Sequence, residues 1–225
     1  MIGSEKVKVL IVGFAQIRYM PYIYFHLNKY KNDIIHVVTW NRDGSKDIQL
    51  EEYDIPKFYE FNEILHGESK YSKILKFYKF RKFVKKIIED ETYDRIVLLH
   101  TFPAVLLADI LVKNYKNQYI FDYKDITYER VKLFKKIIAK LILNSRYTLV
   151  SSRGFLKYLP ECEKIYIAHN IIPSDIKKTY RVKKISSKKN LAFWGMIRDY
   201  SINISILEQI KKKDEYSLSY YGTLN

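Results

Sequence analysis

The sequence predicts an α/β protein in which a parallel sheet is covered by helices on both faces, followed by the start of a second sheet of the same kind. Three observations carry that expectation. Runs such as VKVLIVGF, IIHVVTW and RIVLLH are almost continuously apolar and β-branched, as strands buried on both faces must be. Longer stretches between them repeat apolar residues at the three- and four-residue spacing of a helix with one buried face. After residue 170 the pattern dissolves, then restarts with a new apolar run, NLAFWG.

The elements follow in order. Val7 to Phe14 reads as a buried strand, closed by Gly13 and Phe14. Pro21 to Tyr30 reads as a helix, with Pro21 suited to its first turn. Ile34 to Trp40 is the second strand, NRDGSKD a polar turn, and Lys57 to Phe61 a short third strand. A long helix runs from Tyr71 to Glu89, with Ile74, Phe77, Val84, Ile87 and Ile88 on one face. Then come strand Arg95 to His100, a helix from Pro103 to Tyr115, and strand Gln118 to Tyr123. The helix Thr127 to Asn144 carries a stripe of Phe134, Ile137, Ile138, Leu141 and Ile142. Strand Tyr147 to Ser151, a short helix Arg153 to Leu159 and strand Lys164 to Ala168 complete the set.

Strands alternating with helices over residues 1–170 describe a Rossmann-like domain. Residues 171–189, with Pro173 and many lysines, have the composition of a solvated linker. Residues 190–225 hold a strand, a helix from Ser201 to Lys213 and the strand SLSYYG, which is one β-α-β unit. So small a unit cannot bury both faces of its own sheet, so the expectation is a second domain that has only begun. The plainer alternative is that it extends the first sheet.

Composition narrows the functional classes. The 40 basic residues against 25 acidic ones leave a net charge of +15, which favours anionic partners. No run approaches the ~20 apolar residues of a membrane span, and the opening residues do not form a secretory signal. The single cysteine, Cys162, excludes an internal disulfide and a cysteine-built zinc site. A reducing cytoplasm is the simplest compartment.

Ligands of such sheets sit beyond the carboxyl ends of the strands, so polar residues there are the candidates. The first strand ends at Gly13, followed by Phe14, Ala15, Gln16 and Arg18. A glycine there admits a ligand or a neighbouring loop close to the backbone, although this is not the GxGxxG of a dinucleotide site. His100 ends its strand, where it is either a general base or hydroxyl partner, or a satisfied structural histidine. In FDYKDIT, Asp122 lies within the strand and Asp125 just past it, as a helix cap, an acceptor for sugar hydroxyls or a base. Ser151 and Ser152 open a turn whose backbone amides can hold an anion. His169 and Asn170 end the last strand at the linker, an edge expected near a cleft between two domains. In FWGMIR, Gly195 and Arg198 pair an open turn with a cation, which suits a diphosphate, and a surface arginine is the plainer reading. There is no DxD pair and no His/Asp/Glu cluster, so no metal cofactor is expected.

The helix KYSKILKFYKFRKFVKKII carries eight Lys or Arg and no acid across residues 70–88. With aromatics interleaved, it reads as an element for an anionic membrane surface. Nucleic acid would feel the same charges, but no RNP motif, zinc finger or helix-turn-helix supplies specificity, and it is not expected as a partner.

Taken together, these features resemble the GT-B glycosyltransferases, especially the retaining family four that builds bacterial capsules, O-antigens and exopolysaccharides. VLIVGF is similar to that family's opening strand and glycine loop, RIVLLH to the strand whose terminal histidine faces the acceptor, and YIFDYKDIT to the strand after it. IYIAHNIIP resembles the signature at the domain crossing, and NLAFWGMIRDY with LSYYGTLN the start of a donor-binding domain. The match departs from the family at Ile171, where a glycine is usual, and in the crossing aspartate, which is out of register unless Ser174 or Asp175 replaces it. The Glu-x7-Glu donor motif would lie beyond Asn225.

The resemblance implies an enzyme of surface polysaccharide biosynthesis that moves a sugar from a nucleotide-sugar to a saccharide or lipid-linked acceptor. It would work in the cytoplasm at the inner membrane face. His100 and Asp125 would be catalytic; Gly13, Phe14, Gln16, Ser151, His169 and Asn170 would line the acceptor side; Gly195 and Arg198 would contact the donor. The chain alone is then expected to be inactive. The rival is a non-catalytic basic module for anionic membrane or nucleic acid, and sugar epimerisation on the same fold is a third possibility.

Overall fold

The computed structural model describes residues 6–65, 67–126, 131–169, 189–194 and 204–221. The chain divides into two compact units, Met1–Ile176 and Lys177–Asn225. Asn170, Gly195, Arg198 and most of the expected linker lie outside the described residues.

The first unit is a Rossmann-like α/β layer structure. Its strands are β1 (Lys8–Val12), β2 (Ile34–Asn41), β3 (Lys57–Asn62), β4 (Arg95–Leu99), β5 (Tyr119–Tyr123), β6 (Tyr147–Val150) and β7 (Ile165–Ile167). They pair in the order β3-β2-β1-β4-β5-β6-β7, and every pairing is parallel. Strand alternation sends Leu10 and Val12 to one face and Val9 and Ile11 to the other, so each face grows its own core. One face is covered by α2 (Lys70–Asp90), α3 (Thr101–Leu106), α4 (Ala108–Asn114) and α5 (Lys132–Asn144). The other is covered by α1 (Ile23–Lys29) and by Leu50, Tyr53 and Ile55 from the β2–β3 connection. The strand order reverses at β1 and β4, which opens a crevice at their carboxyl ends.

Several expectations need correction. The first helix begins at Ile23, and a 3-10 turn, Ile17–Tyr19, precedes it. The Asp47 carboxylate accepts from the Ile17 and Arg18 amides, which satisfies that turn's free donors. The single helix expected from Pro103 to Tyr115 is broken at Leu107. There the Arg81 guanidinium donates to the Leu106 carbonyl, an acceptor that a continuous helix would use itself. Ile74 leaves the predicted buried stripe of α2 and is 63% exposed; Phe80, Val84, Ile87 and Ile88 are the buried positions. His100 stands outside β4 as the N-cap of α3.

The second unit contributes β8 (Lys189–Trp194), α6 (Ile204–Lys211) and β9 (Tyr216–Tyr221). β8 and β9 pair in parallel as a two-stranded sheet of their own.

Candidate active site

A cavity of about 440 Å³ lies at the crevice where β1 and β4 end. Phe14, Ala15, Tyr19, Met20 and Tyr22 reach it from the chain after β1, Arg42 from the end of β2, His100 and Phe102 from the end of β4, and Asp125 and Ile126 from the end of β5. A somewhat larger cavity, about 490 Å³, lies where Tyr93 and Gln118 precede β4 and β5. That is the wrong end of a parallel sheet for chemistry, and it holds no histidine.

His100 is the singular residue of the first cavity. Its backbone sits at φ 90° and ψ 160°, a region that only glycine occupies without strain. The twist turns the imidazole towards β5, where Nε2 lies 3.1 Å from the Asp125 carboxylate. The Phe102 amide donates to Nδ1 at 3.4 Å, a long bond. In the neutral ring this pattern places the proton on Nε2, donating to Asp125, and leaves the acceptor lone pair on Nδ1. The hydrogen bond from His100 holds the Asp125 carboxyl below its ordinary value near 3.8, against the opposing effect of burial. Such a dyad can draw a proton from a hydroxyl at Nδ1 if that hydroxyl displaces the long Phe102 bond, because the carboxylate stabilises the imidazolium that results. Asp125, expected as a cap or a sugar partner, is therefore the partner of His100 in this structure.

The planar groups of this wall are stacked. The Arg42 guanidinium lies 5.5 Å over the Phe14 ring, Phe14 stacks on Phe102 at 4.8 Å and 7°, and Phe102 stacks on His100 at 5.8 Å and 8°. A cation therefore stands at one end of the row and the dyad at the other. Tyr22 stays a neutral phenol, because burial, then the charges of Asp122 and Asp125, push its pKa far up.

The other candidates fall elsewhere. A Cβ on Gly13 would meet the Met20 thioether at 2.8 Å, so the space that this glycine leaves is filled by Met20 rather than left to a ligand. Gln16 is buried, with its amide given to Asn41 at 2.9 Å and to Asp43, so it ties down the loop after β2. It also lines a second cavity of about 440 Å³, with Tyr19, Arg42, Asp43, Leu65, Gly67 and Lys73. Ser151 donates to the Lys124 carbonyl at 3.0 Å, and His169 Nδ1 donates to the Ser151 carbonyl at 2.9 Å. Both stitch strand ends together and neither lines the first cavity. The turn at Ser152 is closed from within, since its hydroxyl accepts from the Gly154 amide.

Sequence reasoning missed a buried cluster behind the site. Asp122 forms an ion pair with Lys124 Nζ at 2.8 Å and lies 2.8 Å from His26 Nε2, with all three side chains sealed from water. Lys124 also lies 5.2 Å over the Tyr22 ring, which connects the cluster to the cavity wall. The available signal was the pair Asp122 and Lys124, two apart at the carboxyl end of an otherwise apolar strand. Arg42 was missed because it follows β2 inside a stretch that reads as a turn. Among the described residues no group of three or more His, Cys, Asp or Glu can hold a metal.

Fold and site thus define a Rossmann-like domain with a histidine–aspartate cavity at its topological switch point. No protein-family model matches the chain, and no curated protein matches it. Solved structures do. The apo form of the lipopolysaccharide outer core galactosyltransferase WaaB superposes with a TM-score of 0.60 at 13% identity, over 95% of this chain and 60% of that one. A UDP-N-acetylglucosamine 2-epimerase superposes at 0.54 and 11% identity, covering 98% and 63%. The UDP-GlcNAc 2-epimerase from Neisseria meningitidis bound to UDP-GlcNAc gives 0.53 and 14%, covering 97% and 66%. The chain thus spans three-fifths to two-thirds of the length of these proteins. At such identities the likeness shows the fold alone, which is that of the GT-B proteins.

Proposed function

We propose that the protein is a glycosyltransferase whose first unit binds the acceptor, with the His100–Asp125 dyad taking the proton from the attacking hydroxyl. The single observation that carries this is His100, held in a strained backbone conformation that directs its ring to Asp125 inside the switch-point cavity. In the reaction an acceptor oxygen would bond to the sugar's anomeric carbon, the nucleotide phosphate would leave with the bonding pair, and the hydroxyl proton would pass to the dyad. The likeness to WaaB supports sugar transfer, and Gly195 and Arg198 remain the proposed donor contacts.

The test is transfer of labelled sugar from UDP-sugars to extracted membrane lipids by a chain that carries a whole donor-binding domain, compared with its His100→Ala variant. Transfer is expected to fall about 100- to 10,000-fold. Unchanged transfer removes His100 from the chemistry. The likeness to the epimerases favours a second reading, interconversion of a nucleotide-sugar without an acceptor. Conversion of UDP-GlcNAc to its epimer in acceptor-free buffer would select it.

The proposed acceptor is lipid-linked and reached at the cytoplasmic membrane face. The N-terminal half of α2 leaves the core and exposes Tyr71, Ile74, Leu75 and Tyr78 at helical spacing. Lys76, Lys79, Arg81 and Lys85 are paired with Glu68, Glu63, Asp109 and Glu89, which leaves Lys70, Lys73, Lys82 and Lys86 without ion pairs among the described residues. Attraction of about 1 kcal/mol per cation near an anionic leaflet, added to the apolar stripe, suffices for peripheral binding. No helix of the described residues is long and apolar enough to cross a membrane.

A further inference from the structure

Arg42 is the cation of the cavity wall that the protein leaves unused. Among the described residues its guanidinium forms no hydrogen bond or ion pair, although it lies over Phe14 and borders both cavities. The adjacent carboxylate, Asp43, favours its charge but forms no hydrogen bond or ion pair with it among the described residues. Asp43 is engaged by Arg18 at 3.2 Å, by the Tyr19 hydroxyl at 2.9 Å, and by Gln16 and Ser45. Partial burial weakens the hydration of Arg42, and this lowers its pKa, yet a guanidinium stays charged throughout the physiological range. A half-buried cation with no protein acceptor for its fork among the described residues keeps those donors available to a ligand that enters the cavity. Lys73 adds a second positive charge at the mouth of the second cavity and has no ion pair among the described residues.

We propose that Arg42 recognises an anionic oxygen group, phosphate or carboxylate, carried by the sugar acceptor, with Lys73 beside it as the supporting charge. The proposal rests on the reading of the His100 cavity as the acceptor site. The planar fork of Arg42 fits two oxygens of one such group, and its place along the stacked wall sets that group apart from the hydroxyl presented to His100. A neutral sugar offers the fork no anionic oxygens.

The experiment is equilibrium titration of the chain with methyl glucoside, methyl glucuronide and glucose 6-phosphate, and with inorganic phosphate and UDP as competitors. At least one charged sugar is expected to bind about ten- to a hundredfold more tightly than methyl glucoside. Whichever of the two binds better identifies carboxylate or phosphate as the group. Arg42→Gln is expected to abolish the preference. Arg42→Lys, which keeps the charge and loses the fork, serves if the first variant does not fold, and is expected to reduce the preference several-fold. Equal binding of all three sugars, no binding of any, or a preference that survives both substitutions overturns the proposal. So does inorganic phosphate or UDP displacing the charged sugar as strongly as that sugar binds. No readout involves turnover, so a preference that holds while His100→Ala leaves transfer unchanged would sink the proposed reaction and leave the arginine site standing.

Discussion

His100 carries backbone angles that cost any residue with a Cβ about 1–3 kcal/mol. His100→Gly should therefore be more stable than His100→Ala by about 1 kcal/mol, read from denaturant midpoints, while both lack the dyad. Equal stabilities would mean the angles are unstrained. Asp122 makes the opposite test, because its side chain neutralises Lys124 out of reach of water. Asp122→Leu should cost about 3–5 kcal/mol, and adding Lys124→Met should recover much of it. If the double variant is no more stable than the single one, the pair is not coupled. At this scale the sequence was partly legible. His100 and Asp125 could be picked out because strand ends collect function, and the structure joins them. Gln16 and Ser151 satisfied the same rule yet serve the scaffold, since position does not reveal which partners a side chain already has. Arg42 and His26 were illegible because their meaning depends on contacts across the fold, the His26–Asp122 contact spanning 96 residues.

The elements show where periodicity stops informing. The long basic helix was legible as a helix, with ends within one residue of those observed. Its apolar repeat did not tell that the C-terminal half packs inward through Phe80, Val84, Ile87 and Ile88 while Ile74 and Leu75 face solvent. The two halves should respond differently to substitution. Phe80→Ala should cost about 3–5 kcal/mol through the cavity it leaves. Ile74→Ser with Leu75→Ser should change stability by less than about 1 kcal/mol and yet reduce sedimentation with phosphatidylglycerol vesicles. Retained sedimentation in that double variant would assign membrane binding to another surface. The break at Leu107 was equally hidden, because the residue that takes the Leu106 carbonyl, Arg81, comes from the neighbouring helix.

Across the whole first unit, the parallel sheet was legible from its continuous apolar strands, whereas the strand order was not, because every buried strand reads alike. The amino ends of the strands are fastened at one point. Glu91 accepts from Lys57 and from the Tyr59 hydroxyl at 3.0 Å, and it pairs with Lys8 at 2.5 Å, joining β1 to β3. Lys57 first, then Lys8, hold its pKa down at about 2, below the ordinary 4.5. A depressed carboxyl stabilises the fold above its unfolded value, and that contribution is lost as protons bind. Stability should therefore decline as pH falls from about 4.5 towards about 2, and Glu91→Gln should flatten that decline while lowering stability at pH 7. An unchanged acid profile would exclude Glu91 as the group that titrates.

The stacked wall of the cavity continues inward to Trp40, whose ring meets the edge of Phe14 at 5.1 Å and stacks on Phe80 at 4.9 Å. The other tryptophan, Trp194, belongs to the second unit. Nature has thus wired a separate lamp into each unit. With Trp194→Phe, the remaining fluorescence reports the first unit alone, and one ring separates that emitter from whatever occupies the cavity. Ligand screening on this protein can accordingly be done by watching light.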